Sequence, residues 1–274
     1  MKKKMYWLLL FPGVLFIVFF MLIPLLSLIT KTFFNEGGSF SLSNYFALFS
    51  SVYFQQVFVR SMKLSLLSTV ICAILGFPTS YYIAKFSKNK GVLMALAVFP
   101  MFTSPVIRSF SWMVILGKKG FINQALVSLG LVAKPVGLLY NEFSMTVGFV
   151  QLFLPLMILS LIGVMESISE DLNEAACSLG ATKLGAFFHV VVPLSIPGLV
   201  TGSVLVFTGC LTAYTTPQLL GGTDTRVLAT MIYQYAMSLG DWTQASVVAV
   251  VMIVVTILVS SGITSLSKKF NPVQ

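Results

Sequence analysis

Charged side chains are scarce in this sequence. Asp, Glu, Lys and Arg together make up 9% of the 274 residues, whereas soluble domains carry about 25%. Hydrophobic residues account for 57%, and a soluble fold would leave much of that apolar surface in water, where it causes aggregation. The composition therefore excludes a soluble domain and predicts an integral membrane protein.

Cysteine and histidine are also rare. Three cysteines, Cys72, Cys177 and Cys210, are too few for a disulfide-stabilised scaffold, and the first and last fall in apolar runs, as small buried hydrophobes do. The single histidine, His189, has no cluster of ligands for a metal around it. The phosphate-loop pattern GxxxxGK[ST] is absent. We therefore expect no enzyme, no metal site and no cofactor bound by this chain.

Six apolar stretches have, or nearly have, the length of about 20 residues that a helix needs to cross a bilayer. They are Tyr6–Ile29, Ser61–Ile83, Gly91–Phe110, Phe143–Met165, Ile196–Tyr214 and Ala245–Ile263. The first is open to two interpretations, a cleaved signal peptide or a permanent helix, and the lack of a small-residue cleavage site favours the helix. The predicted fold is all-α, with six transmembrane helices.

Lysine and arginine indicate the orientation, because they are enriched on the cytoplasmic side. Nine lie in the segments that are inside if the N-terminus is cytoplasmic: 1–5, 84–90, 166–193 and 267–274. Six lie in the outside segments, which have almost twice the length: 30–60, 111–142 and 215–244. Both termini are therefore predicted to be cytoplasmic. This placement also explains the net charge of +9 without a nucleic-acid partner.

The predicted spans contain no Asp or Glu. Proton- and sodium-coupled carriers usually keep a carboxylate at mid-membrane, so uphill transport by this chain requires energy from another subunit. Prolines in five spans indicate either ordinary kinks or helices that line a pathway. Arg108, the deepest charge in any span, has two open interpretations: it snorkels to the outer interface, or it lies on a pathway or pairs with another helix.

The longest inside segment, 166–193, reads as two short helices. Ser167 with Glu170, or Asp171 with Glu174, forms a capping box for the first helix. The segment would then project into the cytoplasm as a helix, an elbow and a second helix. Such a projection suits docking in a groove of a partner protein.

Small and polar residues define the elbow. Gly180 is placed to end the first helix in the left-handed conformation, and Thr182 to cap the second. Pro193 is predicted to stop the second helix, because the residue before a proline avoids the helical region. The second helix carries apolar side chains: Leu184, Phe187 and Phe188.

This segment resembles the signature loop of permeases from binding-protein-dependent ABC importers, which reads E-A-A, three residues, G, nine residues, I-x-L-P. Here the spacing is complete, with Val190 and Val192 as mild departures before Pro193. In that family the loop is the coupling helix that docks on the ATPase. The resemblance carries the ATPase-coupling role onto five residues: Glu174, Ala175, Ala176, Leu179 and Gly180.

The resemblance covers about Ser61 to Ile263 and is nearest to the spermidine/putrescine branch. Four stretches support that branch: Gly117–Asn123, Leu152–Leu156, Pro193–Gly198 and Tyr214–Gly222. The branch also contains permeases for opines and aminoethylphosphonate, so it does not name the solute. It implies a type I importer permease fold with a transmembrane helix at 1–30 and a core domain at 61–264, including the coupling loop 166–193.

The family also implies a set of partners. These are two ATP-binding subunits, a second permease that is a paralogue or an identical copy, and an extracellular solute-binding protein. ATP and magnesium belong to the ATPase, and the location is a bacterial inner membrane. A passive channel or carrier is the alternative function, and an anchoring protein without transport is a third. A channel should show a selectivity filter, and none is visible.

The fifth span is the predicted pathway or helix seam. Gly198 and Gly202 are four residues apart, a spacing that permits close helix approach. Together with the deepest charge in any span, the candidate residues are Arg108, Thr208, Thr212, Tyr214 and Thr215. The outside segments hold six Lys and Arg but four Asp and Glu. This excess argues mildly against a polyamine and for a zwitterion or an anion.

Overall fold

The computed structural model describes residues 11–34 and 39–270, with side chains as far as residue 265. The described secondary structure is helical, apart from one isolated antiparallel bridge between Phe34 and Phe40. This confirms the all-α prediction. The predicted start of the first span at Tyr6 and the lysine-rich segment 1–5 lie outside the described residues.

The helices are, in chain order, α1 (Phe11–Thr32), α2 (Ser43–Ser50), α3 (Val52–Lys85), α4 (Lys90–Phe102), α5 (Pro105–Leu116), α6 (Phe121–Ser128), α7 (Glu142–Ser167), α8 (Glu170–Ser178), α9 (Lys183–Thr212), α10 (Thr215–Leu220), α11 (Leu228–Tyr233) and α12 (Trp242–Phe270). Wider π-helical turns lie within α1 at Val18–Leu22 and within α9 at Phe187–Val191. A third follows α11 at Gln234–Ser238.

Among the described helices, five are long and apolar enough to cross a membrane: α1, α3, α7, α9 and α12. The segment Lys90–Phe102 (α4) and the segment Pro105–Ser128 (α5 and α6) form a sixth crossing if they are counted as one broken span. The pair bends by 93° at the break between Phe102 and Pro105. The predicted number of six spans is reached only by counting this broken pair.

The prediction of one continuous helix over Gly91–Phe110 is wrong. Thr103 and Ser104 both have extended ψ angles, 139° and 134°, and the chain turns there. Two prolines cause the break. The ring of Pro105 disfavours helical geometry at Ser104, whose hydroxyl instead accepts a hydrogen bond from Val106 N at 3.3 Å and caps α5.

The chain divides into two compact units, 1–56 with 231–253, and 57–230 with 254–274. In the smaller unit, the hydroxyls of Thr32 and Tyr45 are 2.7 Å apart. The larger unit holds the main apolar core, which includes buried side chains of α3, α7 and α9 such as Leu64, Phe149 and Val206.

Glycines bring α7 and α9 of the larger unit into close contact. A Cβ atom at Gly198 would lie 2.9 Å from the backbone carbonyl oxygen of Ser160, and one at Gly202 would lie 2.6 Å from the sulfur of Met157. Real Cβ atoms do not approach so closely, so only glycine permits this helix spacing. The seam predicted from the spacing of the two glycines is therefore formed within the chain, against α7.

Asn123 on α6 organises the connection between α5 and α7. Its side chain is fully buried and donates to the carbonyls of Gly117 and Val136, both at 3.0 Å. Its Oδ1 atom accepts from Val136 N at 2.8 Å. One carboxamide thus makes three hydrogen bonds to the backbone. The two carbonyls also accept from Gly120 N and Leu138 N, whereas the amide of Val136 is bonded by Asn123.

We expect Asn123→Leu to destabilise the protein by about 2 kcal/mol, because it removes three hydrogen bonds and leaves the amide of Val136 without its partner. The unfolding temperature in detergent should fall. The matched control is Gln124→Leu, which removes one exposed bond to the Lys119 carbonyl and should change stability by less than about 0.5 kcal/mol. Equal unfolding temperatures for the two variants would contradict this role of Asn123.

Candidate functional site

The first helix of the predicted coupling segment is α8, and its cap differs from the prediction. Ser169 is the N-cap, with its hydroxyl accepting from Asp171 N at 3.3 Å. Ser167 is wrong as a cap because it still belongs to α7, where its hydroxyl donates to the Val164 carbonyl. Asp171 is likewise wrong as a cap because it lies in the first turn of α8. With Glu170, it places negative charge at the positive end of the helix.

The elbow, Leu179–Thr182, forms as predicted. Gly180 has a φ angle of 96°, in the left-handed region that side chains other than glycine rarely adopt. The amide of Ala181 donates to the Ala176 carbonyl at 3.0 Å, which closes the helix in a Schellman motif. The Thr182 hydroxyl accepts from Gly185 N at 3.1 Å and caps α9.

The prediction that Pro193 stops the second helix is wrong. α9 runs from Lys183 to Thr212 without a break. A π-helical turn at Phe187–Val191 precedes the proline, and the amide of Val192 donates to the Phe187 carbonyl. The wider turn makes room for the proline ring, whose usual clash is with the carbonyl four residues earlier. The short helix of the coupling segment is therefore the start of a membrane span.

The exposed surface around the elbow is apolar. Leu179 is 91% exposed and Leu184 is 72% exposed, while Phe187 turns inward and packs against Tyr81 of α3, with ring centroids 4.8 Å apart. Of the five residues predicted to couple to an ATPase, Ala176 is partly exposed. The other four are exposed: Glu174, Ala175, Leu179 and Gly180. No buried side chain anchors α8.

The other predicted residues lie at the opposite end of α9. Thr208 and Thr212 share that helix, and the Thr212 hydroxyl donates to the Thr208 carbonyl at 2.8 Å. Tyr214 and Thr215 lie at the start of α10. These four residues are therefore close in sequence and lie at the end of α9 that is far from the elbow.

The Tyr214–Gly222 stretch has a packing role in addition to any contact with solute. A Cβ at Gly148 of α7 would lie 2.5 Å from the Thr216 side chain. The hydroxyl of Ser144 donates to the Leu220 carbonyl at 2.8 Å. Gly222 has a φ angle of 73°, which ends α10. These contacts fix α10 against the first turns of α7.

Arg108 lies in a narrow cleft where α5, α7 and α10 meet. Its side chain is only 9% exposed, so it does not snorkel to a surface of the larger unit. Its Nε and Nη1 atoms are buried and have no hydrogen-bond partner. Gln151 of α7 and Thr216 of α10 line the same cleft. The sequence singled out Arg108 and, within the stretch Tyr214–Gly222, Thr216, but it gave no signal for Gln151.

An ion cluster at the start of α7 was also missed. Glu142 accepts from Lys63 Nζ at 2.7 Å and from Arg60 Nε at 3.3 Å. Arg60 also donates to the carbonyl of Arg226 at 3.2 Å. Glu142 is 82 and 79 residues from Arg60 and Lys63 in the sequence, so no local pattern predicts the cluster.

The sequence profile of the family described as "Binding-protein-dependent transport system inner membrane component" matches residues 5–271. This chain belongs to that family. The spermidine/putrescine transport system permease protein PotB of Haemophilus influenzae is 32% identical over 241 residues, covering 85% of this chain and 84% of the relative. The protein of the same name in Escherichia coli is 28% identical over 246 residues, covering 87% and 89%.

Solved structures agree on the fold. A chain of a bacterial alginate ABC transporter, in complex with a periplasmic protein bound to alginate pentasaccharide, has a TM-score of 0.83 at 18% identity, covering 99% of this chain and 96% of that one. A chain of the MetNI methionine ABC transporter in an inward-facing conformation gives 0.58 at 17% identity, covering 80% and 99%. At these identities the likeness shows the fold alone.

Family membership makes this protein a multi-pass inner-membrane permease of a binding-protein-dependent ABC importer. Such a permease works with an ATPase and with a binding protein. The resemblance to the spermidine/putrescine branch, first drawn from the coupling segment and four shorter stretches, is confirmed by the relatives named PotB. The prediction of a transport subunit rather than an enzyme agrees with the family.

Proposed function

We propose that this permease imports a small organic solute of the polyamine, opine or aminoethylphosphonate class, driven by ATP hydrolysis on a separate subunit. The observation that carries the proposal is the exposed elbow between α8 and α9, whose sequence has the complete family spacing. Relatives named for spermidine and putrescine transport support a polyamine, whereas the excess of Lys and Arg in the outside segments favours a zwitterion or an anion. The core domain of the importer is proposed to cover 61–264.

The complex contains two permease chains, two ATP-binding subunits and an extracellular solute-binding protein. The second permease is a paralogue or an identical copy. ATP and magnesium bind to the ATPase, and this chain binds no cofactor. Both termini face the cytoplasm, so that the elbow meets the ATPase and the Lys63–Glu142 end of α7 faces the binding protein.

Coupling depends on the elbow. Closure of the ATPase pair on ATP moves Glu174, Leu179 and Gly180, and α9 carries the movement into the membrane. The solute pathway then changes from inward- to outward-facing. ATP can drive this change only through its different affinity for the two states, and a shift from 1:99 to 99:1 requires about 5.5 kcal/mol of such preference.

The test is the ATPase activity of the reconstituted complex with its binding protein. The panel contains spermidine, putrescine, 2-aminoethylphosphonate and octopine. We expect one solute to stimulate hydrolysis severalfold and to accumulate inside proteoliposomes only with ATP. ATP-independent equilibration of a solute would instead support a passive carrier. A hydrolysing complex that no probe stimulates would exclude these solute classes.

A further inference from the structure

The guanidinium of Arg108 is buried without a counter-charge. Its Nε and Nη1 atoms have no acceptor, and the cleft has no room for a water molecule that would supply one. A buried charge is tolerated when it is paired and hydrogen-bonded, and charges inside a membrane protein mark functional positions by default. The closed cleft therefore leaves Arg108 with unmet hydrogen-bonding capacity.

Among the described residues, no carboxylate forms an ion pair with Arg108. The predicted spans contain no Asp or Glu. The acidic side chain at the start of α7, Glu142, is already held by Arg60 and Lys63. An anionic partner for Arg108 would therefore come from outside the described residues, whereas neutral acceptors, Gln151 and Thr216, line the cleft itself.

A larger space lies beside the cleft. A cavity of about 610 Å³ runs between α3 and α7, within the size range of small-molecule sites. Trp112 and Gln151 line both the cavity and the cleft. The two spaces are therefore adjacent and share these two side chains.

We propose that Arg108 binds the oxyanion of the transported solute, a carboxylate or a phosphonate, when the cleft opens during transport. The guanidinium presents its N–H groups in a planar fork that matches two oxygens of such a group. The carboxamide of Gln151 and the hydroxyl of Thr216 provide further polar contacts. This inference rests on the proposed function and narrows its solute class. The alternative partner for the guanidinium is a carboxylate of the second permease.

The first experiment measures uptake by the full complex in proteoliposomes. The oxyanion probes are 2-aminoethylphosphonate and octopine, and the cationic probes are spermidine and putrescine. Arg108→Gln should slow uptake of the oxyanion probe by at least about tenfold, since it removes charge-assisted hydrogen bonds, and Arg108→Lys should restore part of the rate. The matched control is Lys118→Gln, an exposed charge just beyond α5, which should transport normally.

Two results overturn the proposal. One is a wild-type complex that imports only the polyamines, and the other is an unchanged oxyanion rate in Arg108→Gln. The unfolding temperature distinguishes pairing with a carboxylate of the second permease from binding of the solute. In that case Arg108→Gln lowers the unfolding temperature of the permease pair and slows every probe alike, which also overturns the assignment to solute.

A binding measurement separates this inference from the proposed function. In detergent, without binding protein or ATP, 2-aminoethylphosphonate or octopine should raise the unfolding temperature of the wild-type complex but not that of Arg108→Gln. Ethanolamine, the same amine as the first probe without the phosphonate, should raise neither. A shift that is equal in both proteins refutes the role of Arg108, even if no probe stimulates ATP hydrolysis.

Discussion

Gly180→Val is expected to reduce ATP-driven uptake by one to two orders of magnitude while leaving the amount of permease in the membrane unchanged. The φ angle of 96° at Gly180 costs a side-chain-bearing residue about 1–2 kcal/mol. No atom lies within 4 Å of the position that a Cβ would take, so the substitution causes no clash. The penalty is therefore purely conformational.

Few contacts hold the elbow in its conformation when Gly180 is replaced. No residue of α8 is buried, and the helix is held to α9 mainly by the Schellman turn at Gly180. A valine at this position re-aims α8 without disturbing the core of the larger unit. Uptake should fall by one to two orders of magnitude, the range of typical coupling free energies, while basal ATP hydrolysis remains.

Gly130→Val is the matched control for this variant. Gly130 has a φ angle of 68°, open space around its Cβ position, and the same turn, in which Leu131 N donates to the Leu126 carbonyl. It ends α6, on the side predicted to lie outside. Gly180→Asn should retain part of the activity, because asparagine tolerates the left-handed region. Equal uptake by the two valine variants would remove the elbow from the coupling mechanism.

Gly198→Leu is expected to prevent accumulation of folded permease. The new Cβ would lie 2.9 Å from the carbonyl oxygen of Ser160 and 3.0 Å from the Val164 side chain. The carbonyl is part of the α7 backbone and cannot rotate away, so α7 and α9 must separate. Overpacking costs about 1–3 kcal/mol where side chains can adjust, and the cost here is at the upper end or beyond.

The control for the helix seam is Gly163→Leu. Gly163 lies on α7 itself, and nothing is within 4 Å of its Cβ position, so leucine there should raise helix stability slightly. Folded yield is measured by size-exclusion chromatography in detergent. A normal yield of Gly198→Leu would show that α7 and α9 do not need their close approach.

Hydropathy predicted where helices cross the membrane but not always where they begin. α3 starts at Val52, nine residues before the predicted Ser61, because hydropathy reports transfer into lipid whereas helix formation continues outside it. The two prolines had opposite effects: the helix breaks before Pro105 but continues through Pro193. A proline has a local preference, and the surrounding packing and a π-helical turn decide its effect.

The candidate site was predictable only where it depends on local sequence. The elbow follows from the spacing of Gly180 and Thr182, since left-handed glycines and side-chain caps are local features. The cleft around Arg108 joins helices 40 to 110 residues apart, and burial of its guanidinium depends on how they pack. A sequence shows that a charge lies in an apolar run, but not whether an acceptor reaches it.

The continuity of α9 has a mechanical consequence. Thirty residues of helix span roughly 45 Å at 1.5 Å per residue, so the segment is a lever whose short arm is the elbow. Its π-helical turn keeps the hydrogen bond from Val192 to Phe187, and the helix continues through Pro197. A tilt of about 5° at the ATPase would sweep Thr212 through roughly 4 Å, about the width of a methylene chain.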